Sequence, residues 1–422
     1  MDSAAADGPH SGPGPAANPL GHGPVLLLTG ARLADGRVVD VRVSGDRIQA
    51  VGTVGSLGPL PALPGTPTVT TGARIDLRGY LLLPAPAEAH AHYDTAFSAA
   101  LPTPPPDTPD DLIRRVTEAA LTSLGYGATA QRTHVRIGDV HGLGRLEAVL
   151  TARQALRGLA ELQAVAMPRL LTGRAGADGR AQLRDALKLG ATAAGGCPEL
   201  DPDPAGYVQL LLEAAREADC PVDLHTTAAD AAQLARLASA VAPLRPRVTL
   251  GPCGAMARGA STVLATSGVR VVWLPQNGGC TGLEGRPSGR RPGLVTELTA
   301  ARVPLAAGSG ALRDQSNPVG RADPLESAYL LAAGGELDPE AAYDAVANQA
   351  RAALGLPHVR VDAGFPAELL AVRGDSLAGA LAGGHSRLVV HSGRVVSRTS
   401  AVREFADTVA LALPRQCGGS DC

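Results

Sequence analysis

Tyr80-Leu-Leu-Leu-Pro-Ala-Pro-Ala-Glu-Ala-His-Ala-His-Tyr-Asp94 is the stretch on which the reading of this chain turns. It runs from an apolar start through two prolines to His90 and His92, separated only by Ala91. Successive side chains of an extended strand alternate faces, so histidines at i and i+2 project from one face and can grip a single metal ion. Taken alone, the spacing fits equally well two ordinary polar residues just past a strand end.

Downstream of this segment, short apolar runs alternate with Ala- and Leu-rich stretches of helical length. Strands are predicted at Leu81–Leu83 leading to His92, then at Ala130–Ile137, Leu162–Met167, Ala191–Gly195, Val222–His225, Val248–Leu250, Val269–Leu274 and Val303–Ala307. Helices are predicted between them, with one more over Pro339–Leu354. Eight strands each followed by a helix is the pattern of a (β/α)₈ barrel, whose chemistry sits at the C-terminal ends of the strands. His90 and His92 fall at the end of the first strand and His225 at the end of the fifth. On either side, residues 24–80 and 358–400 carry short alternating runs broken by Gly and Asp, which read as small antiparallel strands. The expected architecture is an α/β chain: a TIM-like barrel over 81–357 and a small composite β-sandwich built from both flanks. Residues 1–23 and 401–422 are expected to be tails.

Composition narrows the function. Aromatics are only 2% of the 422 residues, so the core must be built from Ala, Val and Leu. A formal net charge of -2 offers no electrostatic footprint for nucleic acid or an anionic membrane. The six cysteines are scattered without the close spacing of a zinc knuckle or redox pair, which suits a reduced, cytoplasmic setting. No apolar run reaches the 18 or more residues of a membrane helix. The expected partner is a small molecule, with a homo-oligomer or an active paralogue as the candidate protein partner.

The order of these segments resembles the amidohydrolase superfamily, and within it the cytosine deaminase-like branch. The resemblance is carried by Ala89-His-Ala-His-Tyr-Asp94, Arg132-Thr-His-Val135, Leu162-Gln-Ala-Val-Ala-Met-Pro168, Pro221-Val-Asp-Leu-His225, Arg247-Val-Thr249 with Ala255-Met256, and the Arg-rich Gly285-Arg286 and Arg290–Gly293. It implies one divalent metal, zinc or iron, held by His90, His92 and His225. It further implies an Asp ligand on the eighth strand, and a Glu and a sixth-strand His that move protons as activated water attacks a C–N carbon. Those last positions are occupied by Gly310, Ala228 and Pro252 respectively. The third-strand Gln that reads a pyrimidine falls at Arg169, whose planar guanidinium suits a carboxylate or phosphate.

Two readings of activity follow. In one, the chain keeps the fold of a hydrolase of C–N bonds in small cyclic amides or amidines but has lost most or all catalysis. In the other it is an active metal-dependent amidohydrolase or deaminase in which Cys253, Asp230 or Asp314 stands in for a lost group. His134 and His141 read as hydrogen-bonded structural residues, and Lys188, the only lysine, as the solvated face of a helix.

Overall fold

The computed structural model describes residues 25–60, 62–63, 66–70, 72–99, 107–138, 142–244, 247–276 and 291–402. The expected tail over 1–23, all but the first two residues of the tail expected over 401–422, His141, and the Arg-rich stretch 285–290 lie outside the described residues. Eight parallel strands form a barrel in simple sequential order: Ala87–Ala91, Ala130–Ile137, Glu161–Pro168, Ala193–Gly196, Val222–Thr226, Val248–Pro252, Arg270–Trp273 and Leu305–Ala307. Closure is made by backbone just beyond the eighth strand. The Gly310 N–H donates to His90 O at 2.9 Å, and the His92 N–H donates to Gly310 O at 3.2 Å.

Helices α1 (Pro109–Gly125), α2 (Gly144–Ala155), α3 (Ala177–Leu189), α4 (Pro204–Glu217), α5 (Ala231–Val241), α6 (Ser261–Ser267), α7 (Leu294–Ala300) and α8 (Pro324–Ala333) surround the strands. Several begin with one device, a side-chain oxygen on a free N–H followed by Pro in the first turn: Thr108-Pro109, Asp203-Pro204, Asp323-Pro324 and Asp338-Pro339. Such a cap satisfies an orphan donor, and Pro gives up an N–H that had no partner anyway.

The helix expected over Pro339–Leu354 is two, α9 (Pro339–Val346) and α10 (Asn348–Ala353), because the chain bends at Ala347. Asn348 explains the bend: its amide clamps the backbone of Val359 in both directions, which redirects the second segment. That segment plugs the barrel floor, where Ala350 and Ala353 pack on Ala87, Ala89, Ala130, Val272 and Ala306. Only small side chains allow a helix to approach strand starts this closely, and the Ala-rich composition serves that need.

The two flanks meet in one eight-stranded sheet that includes Val25–Arg32, Val38–Ser44, Arg47–Thr53, Tyr80–Pro84, Leu369–Arg373, Arg387–His391 and Arg394–Thr399. Leu81–Leu83, expected at the start of the first barrel strand, pairs instead with Leu369–Arg373, with Leu370 opposite Leu83. The interruption is Pro84-Ala85-Pro86, since Pro has no N–H to continue a ladder. Alternation then sorts the strand's faces: Leu82 joins the flank core with Leu28, Val41 and Ile48, while Leu81 and Leu83 join the barrel core. No helix among the described residues is long and apolar enough to cross a membrane.

Sheet and barrel are tied by a buried ion pair. Arg387 reaches Asp323 through two bonds of 2.8 Å and donates a third to Tyr126 O at 2.8 Å. Both partners are almost fully buried, so removing one strands the other's charge. Arg387→Ala is expected to destabilise the protein by about 3–5 kcal/mol, read by urea unfolding. A loss under about 1 kcal/mol, the value of an exposed pair, would show that the tie is not a buried one.

Candidate metal centre

The first barrel strand delivers His90 and His92, the second His134 and the fifth His225. All are at most 5% exposed, and one ring nitrogen from each lies within 4.8 Å of the others. His92 Nε2 and His225 Nε2 stand 3.2 Å apart, and the rings of His90 and His134 are stacked with centroids 4.1 Å apart.

His134 therefore belongs to the cluster, where sequence reading had treated it as a structural residue. The overlooked signal is periodicity. Arg132, His134 and Arg136 sit at alternate positions of one strand, as do Asp223 and His225 of another. Period-two polar residues in a strand that is otherwise buried mark the face turned into the barrel.

Burial, reinforced by the charges that neighbouring imidazoles would carry, holds His90, His92 and His225 well below the usual histidine range. They are neutral, each with a nitrogen lone pair to offer. Both ring nitrogens of His90, and Nδ1 of His225, have no hydrogen-bond partner. Orphaned buried nitrogens of this kind are rare and call for an explanation. A metal cation supplies it, and the residues fit: a tetrahedral zinc with Zn–N of 2.0–2.1 Å sets its nitrogens roughly 3.3 Å apart, close to the His92–His225 separation. His90, His92, His225 and His134 are the residues able to hold it.

Asp223 lies beside the cluster, its Oδ1 3.3 Å from His134 Nε2. Arg132 donates to its other oxygen at 2.9 Å and to Gln163 Oε1 at 2.9 and 3.2 Å. Gln163 in turn donates to Leu354 O at 3.0 Å, which connects the site to the helical plug. Burial alone would push the Asp223 carboxyl up, but the facing His134 and Arg132 outweigh it and hold it well below the ordinary carboxylate range. Below the cluster, Glu88 is fully buried and accepts from the His90 and Ser309 N–H groups and the Ser309 hydroxyl. Burial pushes it up to about 7. A Cβ on Gly308 would sit 2.7 Å from Glu88 Oε1, so this position admits no side chain without displacing the carboxylate.

None of the candidate stand-ins joins the histidines among the described residues. Cys253 is buried apart from them, its thiol pushed up to about 12 by burial and by Glu199. Asp230 caps α5 through the N–H groups of Ala232 and Gln233. Asp314 accepts from Thr95 Oγ1, Ser316 and Asn317 and so fixes its own loop. Pro252 ends the sixth strand, Gly310 closes the barrel through its backbone, and Ala228 lines a cavity between α4 and α5. Arg169 is exposed just beyond the end of the third strand. Arg136, two residues past His134, is also exposed, and its charge is felt at His92 and Asp94. Lys188 is solvated, near Asp185 at 3.6 Å.

Comparison with known proteins agrees with this architecture. No family model matches the chain. It is 28% identical over 382 residues to a pterin deaminase of Rhizobium rhizogenes, covering 80% of this chain and 85% of that protein. The crystal structure of N-isopropylammelide isopropylaminohydrolase from Burkholderia multivorans superposes with a TM-score of 0.72 at 27% identity, over 89% of this chain and 99% of the other. A 5-methylcytosine deaminase from Klebsiella pneumoniae superposes at 0.73 and 21% identity, over 90% and 100%, a likeness of fold. Its sequence and structural homologues are thus deaminases and hydrolases of the amidohydrolase superfamily.

The neutral histidines set a pH dependence. A histidine whose folded pKa lies below its unfolded value of about 6.5 takes up its proton more readily when unfolded. The stability it contributes is present above that value and is lost as pH falls below it. The metal-free protein is expected to lose melting temperature from pH 7 to pH 5, and His90→Asn to lose less. Equal slopes for the two proteins would show that His90 is not held neutral.

Proposed function

We propose that this chain is a metal-binding member of the amidohydrolase fold with lost or strongly reduced hydrolysis, which keeps a ligand site at the mouth of the barrel. The observation that carries the reading is what surrounds the histidines. Four buried imidazoles converge, yet the neighbouring positions where the resemblance implies a metal-binding Asp and two proton carriers hold Gly310, Ala228 and Pro252. A bound metal would supply Lewis acidity, lowering the pKa of water toward about 7. A positioned acid–base group adds typically 10²–10⁴-fold in rate, and the positions where the resemblance implies one hold no side chain that can carry a proton. Asp223 is engaged by Arg132 and kept ionised, Glu88 is locked by Ser309 and the His90 amide, and Cys253 keeps its proton.

The test is a metal-loaded assay of the full chain for ammonia or amine release across cyclic amides, pyrimidines and pterins. The unaltered protein is expected to stay at the buffer rate. The triple variant Ala228→Glu, Pro252→His, Gly310→Asp is expected to gain at least about 100-fold, the low end of what one proton carrier supplies. Turnover by the unaltered protein at the order of 1 s⁻¹ common to enzymes would overturn the proposal in favour of active hydrolysis.

The mouth supports a ligand class. Arg136 and Arg169 lie at the outer ends of adjacent strands, where Met167 is the register partner of Arg136 and Arg169 follows two residues on. Two guanidinium groups there favour a base or ring carrying a carboxylate or phosphate. Orotate is expected to raise the melting temperature and uracil, the same ring without a carboxylate, is not; the effect should vanish in Arg136→Ala/Arg169→Ala. Equal shifts from the two compounds would remove the anionic preference.

A further inference from the structure

We infer that His134 is the fourth metal ligand, so that the centre is an all-histidine site, His90, His92, His134 and His225. The inference rests on the metal-binding reading above and specifies its ligand set. The resemblance places a carboxylate from the eighth strand at the fourth position. Here that position is Gly310, whose only contribution is the backbone pair that closes the barrel on His90 and His92. His134 occupies the same cluster from the second strand, fully buried, with a ring nitrogen inside the 4.8 Å group.

The surroundings of His134 suit ligation. A metal-binding histidine ordinarily gives its second ring nitrogen to a carbonyl or carboxylate, which fixes its orientation. His134 has a carbonyl beside one nitrogen, Ala91 O at 3.3 Å from Nδ1, and a carboxylate within ion-pair reach of the other, Asp223 Oδ1 at 3.3 Å from Nε2. Arg132 anchors Asp223 from behind, so the second strand brings both the ligand and the clamp that orients its partner.

One consequence follows. Four imidazoles contain no hard oxygen donor, so the site should take zinc, cobalt, nickel or copper and refuse magnesium, calcium and manganese.

The experiment loads the full chain with Co²⁺ or Zn²⁺ and records the cobalt visible spectrum, the affinity by competition with a chelator, and the number of imidazoles by X-ray absorption. The unaltered protein should give a tetrahedral cobalt spectrum and four imidazoles. His134→Ala should weaken affinity on the order of 100-fold, at least the loss seen when an outer partner is removed, and shift the cobalt bands. His134→Ala/Gly310→Asp should recover much of that affinity, because Asp tolerates the left-handed backbone found at Gly310, where φ is 80°. If His134→Ala does not fold, His134→Gln and the imidazole count of the unaltered protein decide. Three imidazoles with unchanged affinity in the variant would overturn the role of His134 while leaving metal binding intact. An unaltered protein that takes up no metal would instead overturn the metal-binding reading itself.

Discussion

Imidazole nitrogens buried away from water must find a partner, and at the centre of this barrel several of them have none among the described residues. Charging the rings is no escape, because burial and mutual repulsion keep His90, His92 and His225 neutral. Filling the space with apolar side chains would have removed the problem, and the sequence has not done so. The nitrogens instead converge from the first, second and fifth strands of the barrel. That convergence is costly for an empty site and ordinary for one that holds a cation.

The rest of the interior is arranged around this point. Alanines at the floor let α10 rise into the barrel, and Gln163 carries a path of hydrogen bonds from that helix through Arg132 to Asp223, whose Oδ1 lies 3.3 Å from His134 Nε2. Gly310 closes the barrel with backbone bonds at the level of His90 and His92, so closure and placement of the first two imidazoles are one structural event. The barrel therefore closes at Gly310 through backbone alone, with no side chain involved. Scaffold and chemistry are separable here, as they are in barrels generally, because the strands hold the fold and their ends hold the site.

Much of this could be read from the sequence. The strand-helix alternation identified the barrel, and His-Ala-His at a strand end pointed to the cluster. His134 was missed because a histidine within a strand is usually satisfied by a neighbour, and its period-two relation to Arg132 and Arg136 is masked by Gln131 and Thr133 at the alternate positions. The fates of Cys253, Asp230 and Asp314 were not legible either. Whether a carboxylate caps a helix, ties down a loop or reaches a site depends on a turn of one or two residues, and Ala228 and Cys253, both at positive φ, show how sharply the chain turns after the fifth and sixth strands. The break between Leu83 and Ala87 was written in Pro84 and Pro86, whose missing N–H groups hand the apolar run to the flank sheet.

On the proposed reading the imidazoles serve something other than hydrolysis by the familiar route, and the metal is the element on which that proposal depends. The most direct measurement is the metal content of the purified full chain after incubation with Zn²⁺ and exhaustive dialysis. The account predicts one equivalent retained by the unaltered protein and none by His90→Ala/His225→Ala. Trace metal alone in the unaltered protein would contradict it.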